Sequence, residues 1–151
     1  MEKLIDDFKD KHPEHVDNVR YTQNLQNDRS LYTINDSVHI IDDASLIKNK
    51  IKRDYFHGPG ILKAYSPTCP HCINKASYIR ISAQVLELYN SNAAIYVIDV
   101  ADNRLFSHSN KISSVPTFYK VTNNGNITDI LDIKNITDIS AHLPSIESEG
   151  L

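Results

Sequence analysis

The chain contains only two cysteines, and they lie two residues apart in the tetrapeptide Cys69-Pro70-His71-Cys72. A short, mostly apolar run from Ile61 to Tyr65 precedes them and has the composition of a strand. Behind them, apolar residues recur at three- and four-residue intervals, as in an amphipathic helix: Ile73, Ala76, Ile79, Ala83, Leu86 and Tyr89. The sequence therefore predicts two thiols mounted between a strand and the N-terminus of a helix.

This placement favours reactive thiols. The unpaired N–H groups and the dipole at a helix N-terminus stabilise the thiolate, which is the nucleophilic form of cysteine. We therefore assign Cys69 as the attacking thiol and Cys72, one turn further along, as the resolving thiol. Pro70 suits the first helical position, where a proline loses no useful N–H. His71 adds a titratable group beside the sulfur, and stabilising the thiolate would make the pair a better oxidant.

Two simpler interpretations stay open for these residues. His71 could be an ordinary exposed histidine with no effect on the thiols. The two cysteines could also be half of a zinc site completed by His57, His71 or His108, although structural zinc usually brings two paired-ligand motifs and the sequence has one. We expect no metal or organic cofactor, and a reversible Cys69–Cys72 disulfide as the redox group.

Charge and hydropathy exclude several other functions. A net charge of −3 provides no basic footprint for nucleic acid, and no apolar run approaches the ~20 residues of a membrane span. The stretch from Met1 to Asp10 lacks the apolar core of a signal peptide, and two cysteines do not form a secreted disulfide scaffold. We expect a cytoplasmic location. A locally oxidising setting, such as a viral factory or a virion, would suit an oxidising dithiol there.

The pattern of segments predicts one α/β domain over residues 36–146 of the 151-residue chain. An N-terminal extension over residues 1–35, helical or partly disordered, and a tail over residues 147–151 would flank it. The expected mixed central β-sheet has helices on both faces because helical crossovers favour parallel strands and the final hairpin requires antiparallel ones. Strands are predicted at 37–41, 61–65, 94–100, 117–121 and 127–133, with helices at 42–51, behind Cys72 and at 135–143.

One turn can be predicted in more detail. Asn124-Gly125 separates the last two predicted strands. This dipeptide is typical of a type I′ hairpin turn, in which both central residues have positive φ.

Two separated motifs resemble the thioredoxin superfamily. The run from Tyr65 to Cys72 is similar to the active-site segment of protein disulfide isomerase domains, and its Pro-His dipeptide matches that of a bacterial disulfide oxidant. The run from Val115 to Phe118 is similar to the family's cis-proline loop. Covering roughly residues 37–143, the resemblance implies a thioredoxin-like fold and a cis bond before Pro116, lying against Cys69. It also implies that Thr68 and the Val115 backbone contact an extended substrate.

The chain departs from the family pattern at three positions. Lys63 stands where relatives carry an acid in the strand before the cysteines, and it could either stabilise a thiolate at Cys72 or reach out to solvent. Thr68 replaces the tryptophan that usually precedes the first cysteine. Ile133 replaces a glycine near the end of the last strand, so we expect a narrower or differently shaped substrate groove.

These features are interpreted as an enzyme, a protein thiol–disulfide oxidoreductase that leans towards oxidation or isomerisation. Its partners would be cysteine-containing protein substrates and a redox partner. A glutaredoxin-like, glutathione-dependent reductase is one alternative, although the segment 122–126 lacks the Gly-Gly-Asp turn that binds glutathione in that family. A catalytically weak binding or structural module is the other, motivated by Lys63, Thr68 and Ile133.

Overall fold

The fold is built on a mixed five-stranded sheet with a separate two-stranded hairpin beside it. The computed structural model describes residues 31–32, 36–88, 92–134 and 136–142. In chain order the strands and α-helices are β1 (His39–Ile40), β2 (Leu46–Ile47), β3 (Lys50–Ile51), β4 (Gly60–Tyr65), α1 (Pro70–Leu88), β5 (Ala94–Asp99), α2 (Arg104–Ser109), β6 (Thr117–Val121), β7 (Ile127–Leu131) and α3 (Ile136–His142).

Strand β4 occupies the centre of the sheet, whose order is β1-β5-β4-β6-β7. It runs parallel to β5 and antiparallel to β6, so the prediction of a mixed sheet is confirmed. All six residues of β4 are buried, as expected for a strand with helices on both faces. Because Cys69 follows this strand so closely, the best-buried element of the fold positions the thiols.

Helices cover both faces of the sheet, as predicted. Ile61 and Tyr65 of β4 face the core cluster that includes Ile79 of α1 and Ile139 of α3. The intervening Leu62 faces the second cluster, which includes Phe106 of α2. Full burial of a side chain such as Ile79 contributes about 1.5–3 kcal/mol, so the apolar face of α1 is a main source of the free energy that fixes the helix under the thiols.

The predicted helix over residues 42–51 is wrong. Asp42 does cap a turn, accepting a hydrogen bond from the Ser45 N–H at 3.0 Å, but this 3₁₀ turn ends at Ser45 and the hairpin β2–β3 follows. Lys48 and Asn49 form the two-residue loop of that hairpin with φ of 49° and 61°. Positive φ at both positions is the requirement of a type I′ turn, which asparagine meets readily. The conformation of these two turn residues therefore favours a hairpin, although the spacing of apolar residues is typical of a helix.

The last hairpin is present, but its turn is not of type I′. Gly125 has a φ of 84°, whereas Asn124 does not have positive φ. The Gly125 N–H donates to the carbonyl oxygen of Thr122 at 3.0 Å, and the Thr122 N–H donates to that of Asn126 at 3.0 Å. A four-residue turn whose last residue is a glycine with positive φ is the three-residue hairpin loop with a bulge.

The end of the predicted N-terminal extension is part of the core. Leu31 and Tyr32 have exposed fractions of 0% and 1%, and both belong to the cluster beneath α1. The Leu31 carbonyl accepts a hydrogen bond from the guanidinium of Arg80 at 3.1 Å. The rest of the predicted extension, apart from these two residues, and the predicted tail over residues 147–151 lie outside the described residues. None of the described helices combines the length and hydropathy that a bilayer crossing requires.

Glycine is required at position 60, where β4 begins. A Cβ atom at Gly60 would overlap the carbonyl oxygen of Ala94 on β5, a backbone atom that cannot move without distorting the parallel pairing. We expect Gly60→Ala to lower the free energy of unfolding by at least about 2 kcal/mol, measured by urea denaturation. The exposed strand substitution Thr128→Ala should change it by less than about 0.5 kcal/mol. Equal stability of the two variants would contradict the packing described for β4 and β5.

Candidate dithiol active site

The two cysteines lie where β4 passes into α1. The chain turns at the end of β4, and the Cys69 N–H donates to the Ser66 carbonyl oxygen at 3.2 Å. The Cys69 carbonyl then accepts from the Ile73 N–H at 3.0 Å, which is the first hydrogen bond of the helix. Pro70 is the first helical residue, as predicted, where its missing N–H costs nothing. The Cys69 sulfur is therefore held at the helix N-terminus.

Cys69 is a partly exposed free thiol in a setting that favours the thiolate. Burial alone would raise the pKa of Cys69, but hydrogen bonds from the backbone N–H of Cys72, from the Cys72 thiol and from the His71 N–H outweigh it. The positive charge of Lys63 acts in the same direction, so the net pKa of Cys69 is lowered. The two backbone N–H donors belong to the unpaired N–H groups that every helix N-terminus provides.

Cys72 is a free thiol with no exposed surface. Burial raises the pKa of Cys72 to about 11, although the Ser66 N–H, which lies 3.4 Å from its sulfur, and the charge of Lys63 partly offset that effect. At neutral pH this thiol is protonated and sheltered. The site thus contains one accessible, acidified sulfur and one buried, protonated sulfur a single helical turn apart, which is the asymmetry that disulfide exchange requires.

The loop before β6 completes the site from a distant part of the chain. The Val115–Pro116 peptide bond is cis, and the Cys69 thiol donates to the Val115 carbonyl oxygen at 3.5 Å. The Thr117 hydroxyl donates to the carbonyl oxygen of Ser114 at 2.7 Å and so ties the loop to the start of β6. Val115 and Pro116 are partly exposed beside the sulfur.

The remaining residues singled out around the cysteines differ in exposure. Pro70 and His71 are exposed on the first turn of α1, and Thr68 is exposed just before it. The hydroxyls of Thr68 and Ser66 lie 3.1 Å apart. Ile133 is only 7% exposed and packs in the core cluster, to which Val115 and Cys69 also contribute contacts, so its side chain fills space beneath the surface.

Lys63 is buried completely, so of the two orientations left open by the sequence the solvent-exposed one is wrong. Its Nζ donates to the Tyr32 hydroxyl at 2.8 Å and to the Cys72 carbonyl oxygen at 3.1 Å. The alternation of side chains along β4 accounts for this direction, since Lys63 shares the α1 face with Ile61 and Tyr65.

Two contributors to the site were not found from the sequence. Ser66 acts through its backbone N–H, a role that leaves no trace in residue type. Tyr32 lies in a polar stretch outside the predicted domain, and no spacing relates it to the cysteines. Its hydroxyl contact with Lys63 joins residues 31 positions apart in the chain, so only the folded structure reveals it.

The zinc alternative has no ligand set in the described part of the chain. Within residues 31–32, 36–88, 92–134 and 136–142, no three His, Cys, Asp or Glu side chains are grouped so that they could hold a metal. His57, one of the suggested ligands, instead stacks on His39 with the ring centroids 3.9 Å apart.

Two comparisons with known proteins identify the fold that carries this site. The family model described as Thioredoxin matches residues 40–145. Among solved structures, the chain is similar to the thioredoxin of Malassezia sympodialis (Mala s 13), described as a member of a pan-allergen family. The TM-score is 0.53 at 16% sequence identity, over 80% of this chain and 96% of that chain, a likeness that shows the fold. The search of curated proteins finds no match.

The difference between the two thiols predicts their alkylation rates. At pH 7, iodoacetamide should modify Cys69 in Cys72→Ser at least about 100-fold faster than Cys72 in Cys69→Ser. The pKa of Cys72 is about 11 and that of Cys69 is lower than in an ordinary cysteine, and each pKa unit of difference is a factor of ten in thiolate population. In urea, where both proteins are unfolded, the two rates should agree within about threefold. Equal rates in the folded proteins would contradict the site.

Proposed function

The chain belongs to the thioredoxin family, and we propose that it is a protein thiol–disulfide oxidoreductase that works through Cys69 and Cys72. The observation that carries the proposal is the asymmetry of the two thiols, one accessible with a lowered pKa and one buried with a raised pKa. Membership of the family suggests redox chemistry of this general kind. The substrate class and the direction of exchange are the proposed parts.

The first step is attack of the Cys69 thiolate on one sulfur of a substrate disulfide. A bond forms between that sulfur and Cys69, the substrate S–S bond breaks, and the second substrate sulfur leaves as a thiolate that takes a proton from water. The partial exposure of Cys69 and its lowered pKa support this role. Pro70 and His71, on the exposed first turn, would lie beside the incoming substrate.

The second step resolves the mixed disulfide. Cys72 loses its proton and attacks the Cys69 sulfur, so the Cys69–Cys72 disulfide forms and the bond from Cys69 to the first substrate sulfur breaks. That sulfur leaves as a thiolate and takes up one proton, which balances the proton lost by Cys72. Two electrons have then passed from the dithiol to the substrate disulfide. The same steps in reverse donate a disulfide to a substrate dithiol, and attack without resolution by Cys72 allows isomerisation.

Val115 and Pro116 support an extended polypeptide as the substrate. In the dithiol the Val115 carbonyl accepts a hydrogen bond from the Cys69 thiol at 3.5 Å. The thiolate and the mixed disulfide have no proton to donate, so in both forms the carbonyl is available to a backbone N–H of the substrate. Backbone pairing of this kind tolerates many substrate sequences. Thr68, exposed immediately before Cys69, would contact the same segment.

The environment of Cys69 supports oxidation or isomerisation as the working direction. Helix N–H donors and the charge of Lys63 stabilise its thiolate, which exists only in the reduced form. A dithiol that is stabilised in the reduced form gives up its disulfide more readily and is a stronger oxidant.

A glutaredoxin-like activity has less support. The segment after β6 that lacks the Gly-Gly-Asp turn is the hairpin loop over residues 122–126, and it follows the end of β6 that lies away from Pro116. Gly125 in this loop is already engaged, because its N–H donates to the Thr122 carbonyl oxygen at 3.0 Å and its carbonyl accepts from the Ile51 N–H at 2.9 Å. A mixed disulfide with glutathione would therefore lack the contacts that a Gly-Gly-Asp turn makes with glutathione in glutaredoxins.

The proposal is tested by two assays, reduction of insulin by dithiothreitol and refolding of a scrambled disulfide protein. The chain should accelerate both reactions, and Cys69→Ser should reduce both to the uncatalysed rate because it removes the nucleophile. Cys72→Ser should accumulate a mixed disulfide that is visible by mass spectrometry, because resolution is blocked. Thr128→Ala, on the exposed edge of β7, is the control that should retain the full rate.

Two outcomes would count against the proposal. If the unaltered chain performed no better than Cys69→Ser in either assay, the interpretation as a catalytically weak binding module would replace it. If the chain were active only on glutathione mixed disulfides, the glutaredoxin-like alternative would replace it.

A further inference from the structure

A fully buried lysine lies beneath the thiol pair. Lys63 has an exposed fraction of 0%, and its Nζ donates to the carbonyl oxygen of Cys72 at 3.1 Å. Transfer of an ammonium group from water to a protein interior is costly unless polar groups or charges compensate it. A lysine buried at the centre of the best-packed strand therefore requires partners that hold it there.

Tyr32 provides one of these partners. Its hydroxyl oxygen accepts a hydrogen bond from the Lys63 Nζ at 2.8 Å, and the ammonium lies 5.3 Å from the centroid of the tyrosine ring. Burial raises the pKa of Tyr32 well above its ordinary value, so the phenol is neutral at physiological pH and does not cancel the positive charge of the lysine. The Tyr32 hydroxyl therefore stabilises the lysine ammonium by a hydrogen bond and adds no negative charge.

The segment that carries Tyr32 is fixed in position on both sides. The Tyr32 ring makes an edge contact with Tyr65, with centroids 5.2 Å apart, and the preceding Leu31 carbonyl is bound by Arg80 of α1 at 3.1 Å. Both contacts are to elements that also position the cysteines. Yet Tyr32 lies upstream of residue 40, where the match to the family begins.

We infer that Lys63, held by the hydroxyl of Tyr32, is a positioning residue that applies a buried positive charge to Cys69 and Cys72, so that Leu31–Tyr32 forms part of the redox centre. The inference rests on the proposed function of the two thiols. Its consequence is an adjustment of that function by a segment that lies outside the family match.

The charge acts on both sulfurs in the same direction. Lys63 lowers the pKa of Cys69 and also that of Cys72, in each case together with backbone N–H donors and against the effect of burial. A positive charge near a thiol favours its charged form, and the effect is strong where water is excluded. Removal of the charge should therefore leave both thiols more protonated at neutral pH.

The experiment measures the rate at which iodoacetamide alkylates Cys69 as a function of pH in the full chain. Lys63→Met keeps the length of the side chain and removes its charge, and the rate at pH 7 should fall about tenfold as the pKa of Cys69 rises. Tyr32→Phe removes only the hydroxyl that holds the ammonium, and the rate should fall about threefold. In the double variant the rate should equal that of Lys63→Met, since Tyr32 acts through the lysine.

Two further variants separate this role from a structural one. Lys63→Arg keeps the charge and should retain at least about half of the rate. Tyr96→Phe removes another buried tyrosine hydroxyl, one that donates to the Gly58 carbonyl oxygen at 2.7 Å on the opposite face of the sheet. Its Cys69 rate should stay within about 1.5-fold of that of the unaltered chain. Thermal unfolding of each variant confirms that the protein is folded at the temperature of the measurement.

The inference would be overturned if Lys63→Met reacted as fast as the unaltered chain, or if Tyr32→Phe slowed Cys69 equally with and without Lys63. Alkylation needs no turnover, so it is independent of the insulin and refolding assays. Loss of the lysine effect in an active chain would refute only this inference. Inactivity of the unaltered chain would refute the proposed function and leave the alkylation result interpretable.

Discussion

The position of the Cys69 sulfur at the N-terminus of α1, where the backbone N–H groups of His71 and Cys72 favour its thiolate, is the constraint on which the site depends. These N–H groups lower the pKa of Cys69 even though its partial burial would raise it. One turn further along, Cys72 lies inside the core and its pKa rises to about 11. A single helix terminus therefore gives two chemically identical side chains different tasks, because one faces the donors at the helix end and the other faces the interior.

The rest of the fold keeps this helix terminus in place and brings distant groups to it. Strand β4 is buried along its whole length and delivers the chain to the turn before Cys69. The apolar face of α1 packs against that strand, and the Val115 carbonyl arrives from the loop before β6. Beneath the thiols, Lys63 places an amino group, and the Tyr32 hydroxyl accepts a hydrogen bond from it. The site is thus assembled from three segments that are far apart in the sequence, around residues 32, 60–72 and 115.

The sequence predicts the parts of this arrangement that depend on local pattern. The spacing of Cys69 and Cys72 and the apolar face behind them are sufficient to predict the position of the thiols. The order of strands and helices, with helical crossovers and a final hairpin, is sufficient to predict the mixed sheet. The prediction failed over residues 42–51, where Lys48 and Asn49 adopt positive φ and form a hairpin. The orientation of Lys63 and the contact with Tyr32 could not be predicted, because burial of a lysine depends on partners that only tertiary packing brings together.

The central claim is that Cys69 and Cys72 form a reversible disulfide whose reduced form is stabilised. The most direct test is the equilibrium potential of this pair in glutathione buffers, followed by mass spectrometry after acid quenching and alkylation. The account predicts a two-electron transition at a potential clearly above the value of about −270 mV that is typical of thioredoxin, towards the range of about −180 to −120 mV found for strong disulfide donors. A potential at or below about −270 mV, or no reversible transition, would contradict it.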